Sequence, residues 1–325
     1  MNNKHDSCVY FFFQNNTNNS SKVYNKKNNI IVNRLVPLNV FLKNEIRVAD
    51  VIYNIPNYDN YFYIFKKYFK TRISILDEEC VYMRQARSIQ KPDGKVLLQL
   101  APAPAPLNNK ENNLKKLLKT VLLLEKNGLI HNSICEEACI GGLICDFRRT
   151  FVEKDDRSMY MRYLVDNDLI RLEMPVEFHI YEYCVKRECL LLSKTNVEEI
   201  IDMYIGKLGL LTMFGNRLAS EYKENALAYF EEKYVNQNMS EILEEMWKYK
   251  GTWDVYGLSL MYLKRFVQIY KLGNNFRKKV TQPFLRLFVT NLNMDPKRRF
   301  TLKDTCEKIE EILDGMSVKE YKILF

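Results

Sequence analysis

Three side chains that could take part in chemistry lie close together in the chain: His131, Ser133 and Asp146. A carboxylate such as that of Asp146 can hold Mg²⁺. The guanidinium of Arg148, two residues on, is placed to form a charge-assisted hydrogen bond with it. The hydroxyl of Ser133 cannot accept a proton at neutral pH without a base of its own. Asp146 is therefore a candidate cation ligand, whereas Ser133 by itself is a poor proton acceptor.

The same region contains residue types that zinc favours, namely His131, Cys135, Cys139 and Cys145. Zinc sites usually bring their ligands in short pairs such as C-x-x-C, whereas the spacing here is irregular. Cys139 and Cys145 also fall in apolar, strand-like segments, where small buried thiols are common. A metal-binding module stays open as an alternative, but no zinc is expected.

The elements around these residues are predicted by apolar periodicity. Asn113–Asn127 has the pattern of an amphipathic helix, and Gly128 is placed to cap its end. Two short strands are expected on either side of Gly141–Gly142, a natural hairpin turn. Thr301 and Asp304 resemble a capping box at the start of the last helix. The buried stripe of the first of these helices is predicted to be Leu114, Leu117, Leu118, Val121, Leu122 and Leu124.

The first third of the chain favours strands. Ile30–Val36, Tyr61–Ile75 and Val96–Leu100 have strand-like composition, and Phe41–Asn54 has helical spacing. From Val185 onward the pattern is helical nearly throughout. Strands in the first third followed by helices predict an α+β fold with segregated elements.

The charge is concentrated in one segment. Lys264–Arg299 holds ten lysines and arginines against one acid, Asp295, so it accounts for the whole net charge of +9. We expect a protein partner to bind this basic surface, or else the acidic helical segment Glu221–Glu245. Nucleic acid is disfavoured as a partner because aromatic residues do not interleave the basic run in a recognisable motif.

Cysteine usage and hydropathy indicate the compartment. The eight cysteines form no regular framework, and the apolar cluster near the N-terminus is too short for a signal peptide. A reducing, intracellular location with free thiols follows as an expectation. No apolar run approaches the ~18 residues of a membrane span, so no membrane contact is predicted.

Five segments occur in the order found in protein kinases: His131–Ala138, Asp146–Arg148, Pro175–Glu177, Trp253–Ser259 and Asp295–Thr301. They resemble, in turn, the catalytic loop, the D-F-G motif, the A-P-E motif, the start of a buried scaffold helix and the closing D-P-x-x-R-P-T signature. The chain as a whole resembles the serine/threonine-protein-kinase-like proteins of large nucleocytoplasmic DNA viruses. That resemblance implies host cytoplasm or virion as its location.

The resemblance implies a role for each motif residue. Ser133 stands at the position of the catalytic aspartate, and Ala138 at that of the second metal-binding asparagine, so both functions are lost. His131 is implied to brace the loop and Asp254 to belong to the structural scaffold. Arg299 is implied to pair with the A-P-E glutamate, Glu177. All four of His131, Glu177, Asp254 and Arg299 are therefore expected to be structural.

The nucleotide-binding parts are weaker still. There is no glycine before Gly94, so the glycine-rich loop that lets backbone amides approach phosphates is absent. Asn33 or Arg34 falls at the position of the kinase lysine, and Glu45 at that of its partner glutamate. The fork of Arg34 is no equivalent of a compact ammonium. Asp146 is the expected metal ligand, so weak or absent binding of ATP and Mg²⁺ is implied.

The resemblance implies a bilobal fold with a small, strand-rich N-lobe and a large, helical C-lobe. Residues 1–29 are predicted to be a flexible segment, 30–100 a degenerate N-lobe and 101–112 a hinge. Residues 113–325 would form the C-lobe, with a helical insertion at about 185–250.

The predicted function is that of a pseudokinase acting as a binding or regulatory scaffold. One alternative is an active, atypical serine/threonine kinase that uses ATP and a divalent metal, with Glu136 or Glu137 replacing the lost acid. The second alternative is the metal-binding module considered above.

Overall fold

The computed structural model describes residues 20–24, 30–37, 40–65, 67–71, 95–100, 110–140, 142–209, 216–272 and 275–320. The chain is mostly helical with a small strand region, in keeping with the predicted α+β class. It divides into two compact units. One comprises residues up to 106 together with 143–148, and the other comprises 107–142 and 149–325.

The strands are β1 Ser20–Tyr24, β2 Ile30–Pro37, β3 Lys67–Thr71, β4 Lys95–Leu100, β5 Leu129–Ile130, β6 Cys139–Ile140, β7 Leu143–Ile144 and β8 Phe151–Val152. The helices are α1 Val40–Ile52, α2 Lys110–Lys126, α3 Arg157–Asp166, α4 Val176–Lys186, α5 Lys194–Leu208, α6 Asn216–Tyr234, α7 Met239–Trp247, α8 Trp253–Leu272, α9 Asn275–Asn291 and α10 Leu302–Asp314.

The first unit contains an antiparallel sheet with the strand order β1-β2-β4-β3. The strands predicted at Ile30–Val36 and Val96–Leu100 are confirmed as β2 and β4. The helix predicted at Phe41–Asn54 is α1, which buries Leu42, Val48, Ala49 and Ile52.

Two predictions for the first unit differ from the structure. Ser20–Tyr24, within the segment expected to be flexible, is a strand because its backbone pairs antiparallel with the next strand, β2, which its polar composition does not signal. Of Tyr61–Ile75, only Lys67–Thr71 is a strand. Residues 61–65 form no strand, apart from an isolated bridge between Phe62 and Ile144. The remainder of that prediction and the Ala-Pro part of the predicted hinge lie outside the described residues.

The second unit is built around α8. Its residues Trp253, Val255, Tyr256, Leu258 and Leu260 are essentially inaccessible. Aromatic packing joins α8 to α9, with ring centroids 4.9 Å apart for Phe266 and Phe284 and 5.7 Å apart for Phe266 and Phe288. Such edge and tilted contacts add to the energy of burial.

Local signals in the second unit are confirmed. The helix predicted at Asn113–Asn127 is α2, whose predicted stripe is buried except for the half-buried Leu122. Gly128 adopts the left-handed conformation expected of a helix cap. The capping box of Thr301 and Asp304 is present at α10. The segment predicted as a helical insertion contains α5, α6 and α7. Among the residues that the structure describes, no helix is both long and apolar enough to cross a membrane.

Candidate functional site

The loop formed by residues 131–138 is held by the carboxylate of Asp254, in the first turn of α8. Its Oδ2 accepts the backbone N–H of His131 and its Oδ1 that of Asn132, both at 2.8 Å. Burial raises the pKa of Asp254 to about 6, although the two backbone bonds act to lower it. A buried carboxylate thus replaces water as the acceptor for two loop amides.

The loop and α8 approach each other closely. A Cβ on Gly257 would lie 3.0 Å from the carbonyl oxygen of Ile134, so any larger side chain would push the loop away from the helix. Asn132 has a φ of +58°, a left-handed conformation that asparagine tolerates better than most residues. Its side chain donates to the hydroxyl of Tyr160 at 2.6 Å, which in turn donates to the carbonyl of Arg149 at 2.6 Å.

Ser133, which the kinase resemblance places at the position of the catalytic aspartate, is only 4% exposed. Its hydroxyl has no hydrogen-bond partner among the residues that the structure describes. Ala138, which the same resemblance places at the position of a metal ligand, is also buried. The loop backbone is therefore firmly placed, whereas the side chains that would do chemistry are a hydroxyl and a methyl group.

Glu136 and Glu137, the acids considered as replacements, are exposed. The pKa of Glu137 is lowered by a bond from its own backbone amide and by one from the thiol of Cys135. Glu137 is therefore an ionised surface carboxylate with its own local partners.

A second long-range contact in this unit is the buried pair of Glu177 and Arg299. The Nη1–Oε1 distance is 2.7 Å and the Nη2–Oε2 distance is 3.1 Å, and both side chains are at most 1% exposed. Burial alone would lower the pKa of Arg299, but the Glu177 carboxylate outweighs it and the net shift is upward. The guanidinium carbon also lies 5.0 Å from the ring centroid of Tyr256. The structure thus contains the pairing that the kinase resemblance implies.

Asp146 lies in the other compact unit, where it contacts Arg148 of the same segment. Both of its oxygens accept from Arg148, at 2.5 Å from Nε and 2.8 Å from Nη2. Asp146 itself has a φ of +62°. The contact expected between these two side chains is present, and it is bidentate, the strongest arrangement for an arginine and a carboxylate.

Sequence reasoning missed Asn44, which positions this segment. Asn44 is buried on α1, and its Nδ2 donates to the carbonyls of Phe147 at 3.3 Å and Arg148 at 3.0 Å. A signal was available, since Asn44 lies four and eight residues before the buried Val48 and Ile52. A polar residue on an apolar helical stripe needs a partner.

The structure describes the remaining predicted nucleotide-binding residues, Arg34 and Glu45, in less detail. Arg34 lies on β2 in register with Ser20 and Leu98, and its side chain is outside the described part. Glu45 lies half-buried on α1. Their predicted roles stay predictions.

The metal alternative gains no support from geometry. Within the described residues, no three His, Cys, Asp or Glu side chains are grouped so as to hold an ion. The expected absence of zinc remains a prediction.

Not every cation of the basic run Lys264–Arg299 is available to a common surface, and the partner expected at this run stays a prediction. Arg299 is buried with Glu177, and Lys264 lies 3.8 Å from Glu173. Lys264 and Arg265 line a cleft of about 250 Å³ that also contains acids, among them Glu137. Folding therefore buries Arg299 and places Lys264 beside an acid.

Part of the run does remain a basic face on α9, formed by Lys278, Lys279 and Arg286. Lys279 and Arg286 are exposed and lie two helical turns apart. The ammonium of Lys278 lies 5.7 Å from the ring centroid of Tyr270. We call these three residues the α9 basic face.

The acidic segment Glu221–Glu245 also uses part of its charge internally. Glu231 pairs with Lys194 at 3.1 Å and Glu245 with Lys248 at 2.7 Å. Glu241 takes part in the capping box of α7.

No protein-family model matches the chain, and no curated protein matches it. The resemblance to protein kinases therefore rests on the motifs of this chain and on the contacts between them.

The buried ion pair yields a stability prediction. Replacing Arg299 by Met leaves the Glu177 carboxylate buried without its partner, so we expect the free energy of unfolding in urea to fall by about 3–5 kcal/mol. The neighbouring Arg298 is 63% exposed, and Arg298→Met is the matched control, with an expected change within about 0.5 kcal/mol. Equal effects of the two variants would contradict the prediction.

The raised pKa of Asp254 yields a pH prediction. Between the unfolded value of about 3.9 and the folded value of about 6, the folded state binds more protons than the unfolded state. The stabilisation that comes from the raised pKa of Asp254 is therefore fully present below the pKa of the unfolded state, and it is lost as the pH rises through 6. We expect the stability of wild type relative to Asp254→Asn to fall by up to about 3 kcal/mol over that range.

The measurement is urea unfolding of both proteins at several pH values from 4 to 7, with Asp304→Asn as control. The pKa of Asp304 is lowered by bonds from Thr301, so its contribution has the opposite pH dependence. A wild-type advantage over Asp254→Asn that does not change with pH would refute the assignment.

Proposed function

We propose that this chain is a bilobal, protein-kinase-like protein that has lost phosphotransfer and acts as a binding scaffold. Its division into a unit with a four-stranded sheet and a mainly helical unit supports the fold. So do the contacts of Asp254 with the 131–138 loop and of Glu177 with Arg299, which join motifs more than 100 residues apart.

The proposed loss of phosphotransfer rests mainly on the bidentate contact between Arg148 and Asp146. Phosphoryl transfer depends on charge neutralisation by metal ions that a carboxylate at this position would hold. As arranged, Asp146 does not fit a bound Mg²⁺, because a cation would have to displace the guanidinium from both oxygens. The charge of Asp146, which is the motif aspartate that the sequence retains, is thus neutralised by Arg148 of the same chain.

The 131–138 loop gives independent support. Its backbone is fixed by Asp254, yet Ser133 has no base within the described residues to take its proton. Removing a single element of such a site costs orders of magnitude in rate, and here the base, the second metal ligand and the glycine-rich loop are all absent from the sequence. Structural motif residues are retained where chemical ones are lost, which is the pattern of a scaffold.

The partner that this scaffold fits is an acidic protein segment. The α9 basic face presents two exposed cations and a third that packs on Tyr270. Such a face steers acidic partners and loses attraction as salt screens it. It is smaller than the basic run of the sequence suggests, since Arg299 and Lys264 contribute elsewhere.

Phosphotransfer is tested with radiolabelled ATP, with Mg²⁺ or Mn²⁺, and with a generic protein substrate. We expect no incorporation above that of heat-denatured protein. Incorporation that disappears in Asp146→Ala would overturn the proposal and favour the active, atypical kinase.

The role of Arg148 is tested by thermal shift with excess ATP and Mg²⁺. We expect no rise in Tm for wild type and a rise for Arg148→Ala, because a ligand that binds only the folded state raises its melting temperature. Arg157→Ala, which alters an exposed arginine on α3, is the control and should behave as wild type. A rise for wild type that Arg148→Ala does not increase would contradict the blocking role.

The α9 basic face is tested by retention on immobilised poly-L-glutamate at increasing NaCl. Replacing Lys278, Lys279 and Arg286 by glutamine should lower the salt concentration needed for elution. A control that neutralises three other exposed lysines, Lys43, Lys154 and Lys303, has the same net charge and should elute later than this variant. Equal elution of the two variants would show that net charge alone is responsible.

A further inference from the structure

The C-terminal end of α4 brings two cysteines together. The backbone N–H of Cys189 donates to the carbonyl of Cys184 at 3.0 Å, and that of Glu188 donates to Val185 at 3.3 Å. Glu188 between them has a φ of +50°. This is the left-handed helix cap in which the first and last residues of the motif normally make a side-chain contact. Here both residues at the contact positions carry thiols.

The two thiols differ in their surroundings. Both are free, with Cys184 buried and Cys189 half-buried. Burial, and after it the charge of a Cys189 thiolate, raise the pKa of Cys184 to about 12, and the second cause is a further sign that the sulfur atoms are close. Cys189 is therefore the thiol that an oxidant reaches first. Cys184 is the neighbouring thiol that is placed to form a disulfide with the oxidised Cys189.

We propose that Cys184 and Cys189 form a reversible disulfide when the protein meets hydrogen peroxide. The Cys189 thiolate attacks one peroxide oxygen, forming a sulfenic acid and releasing hydroxide, which a proton converts to water. Cys184 then loses its proton and its thiolate attacks the Cys189 sulfur. The S–S bond forms as the S–O bond of the sulfenic acid breaks, and the hydroxide released takes up a proton to give a second water. Two thiols are oxidised, one peroxide is reduced, and a thiol reductant reverses the change.

The location gives the disulfide a structural consequence. The connection after Cys189 exposes Leu190 and Leu191, at 87% and 57%. It is then tied down by backbone bonds between Leu192 and residues 236 and 237. The left-handed conformation is unfavourable for a non-glycine residue such as Glu188, so the helix cap is prone to opening. A disulfide between Cys184 and Cys189 would hold the cap closed and so fix the other end of this exposed apolar stretch. We expect slower amide hydrogen exchange at Glu188 and Cys189 after oxidation.

The test uses the full chain, with a small excess of hydrogen peroxide, blocking by N-ethylmaleimide under denaturing conditions, and tryptic mass spectrometry without reductant. Trypsin cuts after Lys186 and Arg187, so the disulfide links two otherwise separate peptides, 172–186 and 188–194. We expect this linked pair as the main oxidation product, and its loss on treatment with dithiothreitol.

Matched variants keep the result interpretable if one substitution harms folding. In Cys184→Ser, we expect Cys189 to stop at a sulfenic acid that dimedone traps. In Cys189→Ser, we expect Cys184 to remain maleimide-labelled, as does the buried Cys306 of wild type. Oxidation of Cys189 without the linked peptides, its pairing with any other cysteine, or no reaction at all would overturn the proposal.

Discussion

The buried pair of Glu177 and Arg299 is the interaction on which the helical unit depends. It joins the first turn of α4 to the segment just before α10, and the guanidinium also lies near the ring of Tyr256 on α8. Two buried charges are tolerable only while each neutralises the other and their remaining donors are satisfied. The third nitrogen of the Arg299 guanidinium, Nε, is also satisfied, because it donates to the carbonyl of Asn293 at 2.7 Å. The pair therefore fixes the relative positions of three helices.

A second buried carboxylate, Asp254, depends on that arrangement, because α8 carries it to the 131–138 loop. The loop is held at two amides and approached closely at Gly257. Such rigidity is what a catalytic loop requires, yet the side chain at its centre is Ser133. In the other unit, Arg148 occupies both oxygens of Asp146. In the proposed function, the residues that position the loop are kept, whereas those that would accept a proton or hold a cation are lost, and this contrast is the reason for proposing a scaffold.

The net charge of a sequence segment is a poor guide to the charge that the folded protein exposes. The +9 of one segment suggested a single basic docking surface. Folding buries Arg299 and places Lys264 near Glu173, while Lys279 and Arg286 of the α9 basic face stay exposed, as does Arg298 outside that face. The acidic segment loses charge in the same way, through ion pairs and a helix cap. Any partner would therefore meet a smaller and more mixed electrostatic surface than the linear sequence implies.

The sequence by itself determined those features that depend on neighbours within a few residues. Helix α2, its glycine cap and the capping box of Thr301 follow from periodicity and local hydrogen bonding, and the structure contains them. The α+β class followed from the order of such elements. Only the tertiary structure decided that Asn44 holds the carbonyls after Asp146 and that Lys264 lies near Glu173. Each of those outcomes depends on a partner far away in the chain, and no local pattern records which distant group will supply the hydrogen bond or the opposite charge.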